Sequence, residues 1–501
     1  MSSATFDADV VIVGLGPVGA VMATLLAQAG LDVIAVERSE EIYPLPRAAH
    51  VDHEIMRLFQ RIGVAGAIRA SVRPAPPYEF RSARGETLIR MDPDPAGSPS
   101  GWAQSYMIHQ PGIEQTLRAA LVEAGVTVQL GQSVATVGQD ADGVTIELEQ
   151  GTAVRARYAI ACDGASSTVR EALGIALEDL QFDEPWLVID ALINAPELLP
   201  QVNLQLCDPA RPTTCVHMPA GRHRWEFMLL PGEDAATMLD DAVIERLLQP
   251  WGVAGHVTVE RKAVYRFHGL LAKGWRAGRV LLAGDAAHQM PPFAGQGFCS
   301  GVRDAANLAW KLAAVIRGFA DATILDTYET ERAPHVRGYV DMAIGMGRVV
   351  CTLDPQAAAA RDAGLLARRA AGAPPPGPPA PTHGAGLFLA GSLGAATLFP
   401  QPWDRTGDDP VMLDDMLGEG GWLIGHGPFA GPLPPLLAYH DLDAPALAPF
   451  RAAVARWLRE RDAAAVLVRP DRYVFATGDP AALSRAWSSA LAGPSALQDA
   501  A

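Results

Sequence analysis

The stretch Val10-Val-Ile-Val-Gly14-Leu-Gly16-Pro-Val-Gly19 decides the fold of this 501-residue chain. Its apolar start predicts a buried parallel strand, and the Ala/Leu/Val-rich residues from about Pro17 to Ala29 predict a helix. Gly14 permits a tight turn, Gly16 lets the backbone approach a pyrophosphate, and Gly19 lets the helix pack close to the strand. The helix N-terminus also offers free N–H groups and a positive dipole end to phosphates.

A carboxylate follows this unit at the distance that nucleotide binding requires. A second apolar strand, Leu31 to Val36, ends in Glu37, 18 positions after Gly19. Glu37 is placed to accept hydrogen bonds from an adenosine ribose that carries no 2′-phosphate, as in FAD or NAD. A glycine turn in a strand–helix unit that binds nothing is the alternative, but the strand, the helix and the acidic residue together favour a nucleotide.

A second glycine-marked segment, Arg279-Val-Leu-Leu-Ala-Gly284-Asp285-Ala-Ala-His288, lies near the middle of the chain. Asp285 stands at the carboxyl end of a short predicted strand, where open α/β sheets bind ligands and an acid can hold the ribityl hydroxyls of a flavin. Taken alone, Asp285 also fits a helix N-cap. The stretch from Pro291 to Gly301 then opens a helix predicted over Val302 to Ile316, whose N-terminus suits negative charge on a reduced flavin. NAD needs no such second half, so the two segments together favour FAD.

From about Asp9 to its end, the chain resembles the single-component, FAD-dependent aromatic hydroxylases, a group of flavoprotein monooxygenases. Three motifs carry the resemblance: the ADP-binding fingerprint from Gly14 to Glu37, the Asp-Gly motif at Cys162 to Arg170, and the flavin ribityl motif from Gly284 to Gly297. Arg47 and Gln110 occupy positions that in relatives contact the flavin and its phosphates. The residues that the motifs and the resemblance together imply for cofactor binding are Gly14, Gly16, Pro17, Val18, Gly19, Glu37, Arg38, Arg47, Gln110, Asp163, Gly164, Gly284, Asp285, Pro292, Gly295, Gln296, Gly297 and Phe298.

The closest similarity is to the 3-(3-hydroxyphenyl)propionate hydroxylase subgroup, through the segments 182–188, 224–227 and 299–307. Relatives usually have Met at the position of Phe298 and Asn at that of Ser166. The larger ring of Phe298 would add bulk to the flavin-facing turn, so the pocket and the substrate are expected to differ from those of the subgroup.

The resemblance implies an α/β protein in which a Rossmann-like FAD-binding domain carries an inserted mixed β-sheet substrate domain and a C-terminal thioredoxin-like domain. The implied enzyme uses NADH or NADPH and O₂ to hydroxylate a phenolic compound through a flavin C4a-hydroperoxide, with a substrate like 3-hydroxyphenylpropionate. Two alternatives stay open. One is a flavin-dependent oxidoreductase of the same fold without oxygen insertion, and the other is a non-catalytic FAD-binding protein.

The expected domains are a discontinuous FAD-binding domain at 1–180 and 265–370, a substrate domain at 181–264, a Pro-rich linker at 371–386 and a C-terminal domain at 387–501. The C-terminal segment has no cysteine, which excludes a redox role for it. Packing or the formation of a homodimer is the role expected for it by analogy.

Hydroxylation needs a base or hydrogen-bond partner for the phenol and a cover that keeps water away. His50 and His217 are the candidates for the base, because the ordinary histidine pKa of about 6.5 suits proton uptake near neutrality. Pro292, together with the backbone of Gly295 to Gly297, is the candidate for lining the oxygen-binding side.

Other polar side chains are candidates for holding the substrate. Tyr106 or Tyr265 could hold the phenol through a hydroxyl group, and an arginine could pair with a substrate carboxylate in a bidentate manner. The arginines considered for this are Arg211, Arg222 and Arg224. His288 is expected to support the turn at Gly284 and Asp285 rather than to act on substrate.

Composition excludes several other classes of protein. A net charge of −16 argues against a nucleic-acid partner, which would require a basic surface. The five cysteines show no CxxC or metal-ligand spacing, so no metal is expected and the thiols should be reduced. No apolar run is long enough to span a membrane, and no signal pattern opens the chain, so a cytoplasmic enzyme without membrane contact is expected.

Overall fold

The computed structural model describes residues 5–45, 47–94, 97–375, 380–406 and 410–493. Residues 376–379 of the predicted Pro-rich linker lie outside these ranges. No helix within them is long and apolar enough to cross a membrane. The α-helices of the described chain are Pro17–Gln28, His53–Arg61, Gln110–Glu123, Thr168–Ala172, Asp241–Leu248, Gly297–Ile316, Asp326–Val350, Pro355–Ala370, Leu413–Leu417, Ala448–Arg459 and Pro480–Leu491.

The first of two eight-stranded sheets is built around the predicted glycine-turn unit. Its strand Ala8–Val13 lies between Val33–Glu37 and Ala153–Ala161 and runs parallel to both. Val280–Leu282 extends the sheet beyond Ala153–Ala161, again in parallel. The strands that lead into the two glycine motifs therefore end at the same edge, with one strand between them. The remaining strands of this sheet are Thr127–Leu130, Val134–Gln139, Val144–Leu148 and Arg276–Ala277.

Two helices cover this sheet and pack against each other, Pro17–Gln28 and Gly297–Ile316. The first agrees with the helix predicted over Pro17 to Ala29, because Ala29 is its C-cap residue. The second begins five residues before the predicted start at Val302. Gly295 has a left-handed backbone conformation (φ 64°) and ends the preceding turn, so the chain enters the long helix at once.

The second eight-stranded sheet is mixed. Its two longest strands, Leu177–Ile193 and Val257–Ala272, are antiparallel neighbours. Tyr78–Ser82 joins this sheet by pairing in parallel with Asn203–Cys207. The sheet therefore takes strands from outside the segment 181–264, and the domain boundaries stay a prediction. In spatial order its strands are His288–Gln289, Val257–Ala272, Leu177–Ile193, Arg222–Met228, Thr213–His217, Asn203–Cys207, Tyr78–Ser82 and Thr87–Met91.

Side-chain alternation gives this second sheet two different faces. Leu204, Cys215 and Trp225 point to one side, where they belong to a buried apolar cluster with residues of helix Asp241–Leu248. The residues between them along each strand point to the opposite side, towards the first sheet. Asn203, Gln205, Thr214 and Glu226 therefore lie on the face that meets the nucleotide-binding region.

A four-stranded sheet forms the core of the C-terminal region. Gly421–Gly425 pairs in parallel with Leu437–Asp441 and antiparallel with Ala465–Val468. Val474–Gly478 completes the sheet as the antiparallel neighbour of Ala465–Val468. The description of this region as thioredoxin-like stays a prediction. Smaller sheets elsewhere in the described chain are formed by His50–Asp52, Ser105–Ile108 and Val72–Pro74, and by Trp403–Asp404 with Val411–Met412.

Buried ion pairs attach the C-terminal region to the rest of the protein. Glu331, on helix Asp326–Val350, accepts from Arg469 at 2.9 Å and lies 3.0 Å from the ammonium group of Lys311. All three side chains are fully buried. Arg57 and Asp414 form a second pair, with N–O distances of 2.6 and 2.9 Å. Charges that are buried at such distances hold the two regions in one relative orientation.

A chain of hydrogen bonds extends this attachment to the start of helix Gly297–Ile316. The Tyr473 hydroxyl donates to Glu54 Oε1 at 2.8 Å, and Arg303 Nε donates to Glu54 Oε2 at 2.6 Å. Arg303 Nη1 then donates to Gln296 Oε1 at 3.0 Å. Gln296 is the residue that precedes the helix, so the C-terminal region is linked to the turn predicted to face the flavin.

Candidate active site

A cavity of about 1540 Å³ lies between the two eight-stranded sheets. Its wall includes Gly14 to Val18 from the first glycine motif and Asp285 with Pro292 to Phe298 from the second. All the predicted cofactor-binding residues line it except Gly19 and Gly284. Small-molecule pockets typically measure about 300–1,000 Å³, so this cavity has room for a dinucleotide and a small aromatic compound together.

The glycine turn has the geometry that its sequence predicts. Gly14 has a φ of 95°, and a Cβ there would lie 2.5 Å from the carbonyl oxygen of Cys162. A Cβ on Gly19 would lie 1.9 Å from the carbonyl oxygen of Gly14, which explains why this position must be glycine. A Cβ on Gly16 would meet no atom within 4 Å, because this glycine faces the cavity. Gly16 therefore leaves space for a ligand, whereas Gly14 and Gly19 allow close packing.

Glu37 stabilises the same turn from the end of the next strand. Its Oε2 accepts from the backbone N–H of Leu15 at 2.7 Å, and its Oε1 accepts from that of Ser39 at 2.9 Å. Each carboxylate oxygen has a second lone pair, and Glu37 lines the cavity. The carboxylate is thus fixed in orientation and keeps acceptor capacity for a ribose hydroxyl. Arg38 lines the cavity beside it.

The Asp-Gly motif follows strand Ala153–Ala161, which is the parallel neighbour of the strand that leads into the glycine turn. Asp163 accepts from the Ser167 hydroxyl at 2.6 Å and from the backbone N–H of Val169 at 3.1 Å. Burial raises the pKa of Asp163 above its ordinary value. Arg170 donates to the carbonyl oxygens of Ala165 and Ala286, at 3.1 and 3.3 Å. The motif therefore holds the loop after Gly164 against the segment that carries Asp285.

Asp285 lies at the cavity wall with its side chain 44% exposed and 3.9 Å from Arg47 Nη2. The turn below it is fixed by Asp304, whose Oδ2 accepts from the backbone N–H of Gly284 at 3.1 Å and contacts His288 Nε2 at 2.7 Å. His288 therefore supports this turn through Asp304. Asp285 and Arg47 lie together at the cavity, and Gln110 holds the Arg47 loop by accepting from the backbone N–H of Ala48 at 2.7 Å.

The N-terminus of helix Gly297–Ile316 opens into the cavity without a side-chain cap. The first backbone N–H groups of a helix have no partner within the helix. Those of Gly297 and Phe298 are therefore available to a ligand, where the helix dipole favours negative charge. The Phe298 ring packs edge-on against Phe59, with ring centroids 6.3 Å apart, and is mostly buried. Pro292 lies in the short turn just before the helix and lines the cavity.

His50 reaches this turn from a different part of the chain. Its Nδ1 lies 2.9 Å from the carbonyl oxygen of Gly295, and its Nε2 lies 3.0 Å from the hydroxyl of Ser105. Since a carbonyl oxygen only accepts, Nδ1 carries the proton and Nε2 accepts from the serine hydroxyl. Burial lowers the pKa of His50, which keeps the ring neutral. Both ring nitrogens are thus engaged in positioning the turn, and a role as the base stays a prediction.

The structure does not bring His217, the other predicted base, to the cavity. Its ring contacts His223, with Nδ1 and Nε2 of the two rings 2.8 Å apart, on the face of the sheet turned away from the cavity. The neighbouring Thr214 and Val216 line the cavity instead. Successive residues of a strand point to opposite faces, and His217 is on the wrong one for this role.

The remaining candidates also separate by position. Tyr265 lines the cavity, whereas the Tyr106 hydroxyl accepts from the backbone of Ala103 and lines a different, smaller pocket. Arg211 pairs with Glu233, with both N–O distances 2.6 Å, outside the cavity.

Arg222 is paired in the same way and also lies outside the cavity. Its guanidinium group binds Glu260 at 2.7 and 3.0 Å. Arg224 does line the cavity, but its guanidinium group is paired with Asp190 at 2.6 and 3.0 Å.

The cavity also contains polar residues that the sequence did not single out. Tyr78, Gln205, Thr214 and Glu226 line it from the second sheet. One signal was present, because in Arg224-Trp-Glu226-Phe the charged and aromatic residues alternate, as they do in a strand with one apolar face. Recognising the site would still have required knowing which strands are neighbours.

The residues present fit FAD. The glycine cradle accepts a pyrophosphate, Glu37 suits an adenosine ribose, and Asp285 with the uncapped helix N-terminus lies further along the same cavity. No part of this fit depends on a metal ion. Among the described residues, no group of three or more His, Cys, Asp or Glu could hold one.

Comparison with known proteins gives the same class. A family model described as "FAD binding domain" matches residues 7–343, and one described as "HcaD C-terminal domain" matches residues 441–493. A probable NADH-specific resorcinol 4-hydroxylase of Rhodococcus jostii is 36% identical over 95% of this chain and 92% of its own length. A 3-(3-hydroxy-phenyl)propionate/3-hydroxycinnamic acid hydroxylase of Mycolicibacterium smegmatis is 37% identical over 82% of this chain and 76% of its own.

A solved structure shows the same fold over nearly the whole chain. The flavin-dependent monooxygenase PieE, in complex with FAD and substrate, matches 99% of this chain and 100% of its own with a TM-score of 0.80 and 23% sequence identity. This similarity confirms the predicted α/β fold.

Fold and site together define a flavin-dependent monooxygenase. The chain belongs to the FAD binding domain family, and it is an FAD-dependent aromatic hydroxylase.

Proposed function

We propose that the enzyme hydroxylates a meta-substituted phenol, ortho or para to its existing hydroxyl group, with NADH as reductant and O₂ as oxygen donor. The observation that carries this proposal is the continuity of the cavity from Gly16, past Asp285, to the polar face of the second sheet. A ring bound on that face lies beside the turn from Pro292 to Phe298. The relatives support the choice, since resorcinol and 3-(3-hydroxyphenyl)propionate are both meta-substituted phenols.

Bound FAD supplies the redox chemistry, namely acceptance of a hydride and activation of O₂. The protein binds the cofactor and the substrate, stabilises negative charge and keeps water out of the cavity. The backbone N–H groups of Gly297 and Phe298 stabilise negative charge at the helix N-terminus. The second sheet covers the cavity and excludes water.

Tyr265 is the residue proposed to hold the phenolic oxygen. The Tyr265 side chain lines the cavity and its hydroxyl is buried. Burial, followed by the neighbouring Tyr43, raises the pKa of Tyr265 above the ordinary tyrosine value. The hydroxyl therefore remains protonated at neutral pH and can donate a hydrogen bond to a phenol or phenolate oxygen. Such a bond orients the ring and stabilises the phenolate as it forms.

The test begins with the purified protein and its flavin absorbance. NADH consumption is then followed with resorcinol and with 3-(3-hydroxyphenyl)propionate, and the product is examined by mass spectrometry for one added oxygen atom. Asp285→Ala should lose most of its FAD, whereas Asp142→Ala, which removes an exposed carboxylate outside the cavity, should retain it.

The outcomes separate this proposal from the two alternatives. NADH oxidation that yields only hydrogen peroxide would favour an oxidoreductase without oxygen insertion. Bound FAD without phenol-stimulated NADH oxidation would favour a non-catalytic FAD-binding protein.

Three finer points belong to the same proposal. NADH is preferred over NADPH on the basis of the Rhodococcus relative, whose name specifies NADH. A cytoplasmic location is supported by the five cysteines, all of which are free thiols. A homodimer stays a prediction, to be tested by sedimentation or light scattering.

A further inference from the structure

Three polar residues stand side by side on the cavity face of the second sheet. Gln205 is in register with Thr214, and Thr214 is in register with Glu226, on three neighbouring strands. All three line the cavity, and we call them the polar row. Val188 is in register with Glu226 on the next strand, so the row ends against an apolar side chain.

Hydrogen bonds fix the polar row relative to the turn that carries Pro292. The Thr214 hydroxyl donates to Gln205 Oε1 at 2.8 Å, and Gln205 Nε2 donates to the Tyr78 hydroxyl oxygen at 2.6 Å. The Tyr78 hydroxyl in turn donates to the carbonyl oxygen of Phe293 at 3.4 Å. The Thr214 hydroxyl also lies within hydrogen-bonding reach of Glu226. Two carboxylate oxygens offer about four lone pairs, so Glu226 keeps acceptor capacity towards the cavity.

Glu226 is a buried carboxylate, 7% exposed. Its cationic neighbour, Arg224, forms its close ion pair with a different carboxylate. Arg224 Nη1 lies 3.9 Å from Glu226 Oε1, but the Arg224 guanidinium group is paired with Asp190 and also donates to the backbone oxygen of Arg47. Arg261 Nη2 binds the same Asp190 at 2.7 Å. Burial raises the pKa of Glu226, and Arg224 opposes this only in part.

This arrangement discriminates between two kinds of meta-substituent. A hydroxyl group would be able to donate to Glu226 and would complete the polar row. A carboxylate would bring a second negative charge next to Glu226, in a buried place where the neighbouring guanidinium groups are already paired. A methyl group would neither repel Glu226 nor donate to it.

We propose that Glu226 is a specificity-determining residue that accepts a hydrogen bond from a second ring hydroxyl, so that the enzyme selects neutral dihydroxybenzenes over phenols with a carboxylate side chain. This inference rests on the proposed function, because it assigns the substrate's meta-substituent to the polar row. It narrows the proposed meta-substituted phenol to a resorcinol-like one.

The test measures binding and turnover on the FAD-loaded enzyme with three probes: resorcinol, 3-methylphenol and 3-(3-hydroxyphenyl)propionate. Wild type should bind resorcinol at least tenfold more tightly than either of the others by calorimetry, with the same order in kcat/KM. Glu226→Gln keeps the shape and removes the charge, so the preference for resorcinol over the propionate should fall at least tenfold. Glu197→Gln, which removes an exposed carboxylate outside the cavity, should leave all three affinities unchanged.

Glu226→Asp is the control for an effect of substitution on folding. It keeps the negative charge and should therefore retain the discrimination against the propionate. Wild type that binds the propionate as tightly as resorcinol would overturn the assignment, as would an unchanged ratio in Glu226→Gln. If none of the phenols accelerates NADH loss, the proposed function fails. The calorimetric order of the three probes then decides the role of Glu226 independently.

Discussion

His50 Nδ1 lies 2.9 Å from the carbonyl oxygen of Gly295, although 245 residues separate the two along the chain. This hydrogen bond ties the strand His50–Asp52 to the turn that opens helix Gly297–Ile316. The backbone N–H groups at the start of this helix face the cavity, so their position depends on a side chain from the N-terminal part of the molecule.

His50→Ala should weaken FAD binding while the protein remains folded. The change removes the imidazole donor from the part-buried carbonyl oxygen of Gly295, at a cost of about 1–3 kcal/mol. If that cost appears in the FAD-bound state, the dissociation constant rises roughly 5- to 150-fold. Fluorescence titration of the FAD-free protein measures the change. His256→Ala is the control, because His256 is exposed and bonds Asn194 far from the cavity, and equal affinities for the two variants would contradict the prediction.

The free energy of unfolding should fall as the pH is lowered from 7 to 5, in part because of His223. Burial, followed by the neighbouring His217, lowers the pKa of His223 to about 3. The unfolded chain takes up a proton near pH 6.5, whereas the folded protein does not. A lowered histidine pKa therefore contributes stability at neutral pH that is lost progressively as the pH falls below 6.5, by about 2 kcal/mol at pH 5 for a single group.

Denaturant unfolding of wild type and His223→Gln at pH 7 and pH 5 measures this contribution. The variant should be less stable at pH 7 because it loses the contact with His217, but its stability should change less between the two pH values. A pH dependence as steep as that of wild type would mean that His223 does not remain neutral in the folded protein.

Gly19→Ala should lower the stability of the protein, whereas Gly16→Ala should lower its affinity for FAD. A Cβ at Gly19 would lie 1.9 Å from the carbonyl oxygen of Gly14, so this variant should lose about 3 kcal/mol or more, or not fold. A Cβ at Gly16 meets no protein atom within 4 Å, so this variant should keep its melting temperature and lose FAD affinity. Gly364→Ala, in the open middle of a helix, is the matched control and should stabilise slightly.

Melting curves with and without FAD distinguish these three variants. The assignment of Gly16 to the pyrophosphate would be wrong if Gly16→Ala bound FAD as tightly as wild type. A Gly19→Ala protein with normal stability would show that the helix can move away from the turn.

Glu331→Gln should destabilise the protein by about 3–5 kcal/mol, because it leaves Lys311 buried without its counter-charge and leaves Arg469 with Asp471 as its partner. Although burial opposes it, these two cations lower the pKa of Glu331 to about 2. Limited proteolysis should show cleavage between the helical region and the C-terminal sheet. Glu171→Gln, on a side chain that is 71% exposed, should change stability by less than about 0.5 kcal/mol. A Glu331 variant that unfolds at the wild-type denaturant concentration would show that the attachment does not need this charge.

The geometry of the glycine turn and the position of Glu37 beside it could be predicted from sequence because their determinants are local. Gly14, Gly19 and Glu37 act within one strand–helix–strand unit, so their spacing is enough to assign them. Asp285 required only the rule that ligands bind at the carboxyl ends of parallel strands.

The substrate half could not be predicted, because it depends on which strands are neighbours and which face each side chain takes. His217 illustrates this difficulty. It was predicted as the base, but it lies one residue along the strand from Val216, which lines the cavity, and successive residues of a strand point to opposite faces. The polar row joins Gln205, Thr214 and Glu226 through pairing between strands. Without that pairing each is an ordinary polar residue in a strand-rich segment.

The hydrogen bonds from Tyr473 through Glu54 and Arg303 to Gln296 have a consequence for protein engineering. Exchanging the C-terminal region for that of another hydroxylase would remove the Tyr473 hydroxyl, which donates a hydrogen bond to Glu54. The start of helix Gly297–Ile316 would then lose part of its support, because Glu54 binds Arg303 on this helix. A chimaeric protein should therefore keep Tyr473, Glu54 and Arg303 together, because these three residues connect the C-terminal region to the cofactor cleft.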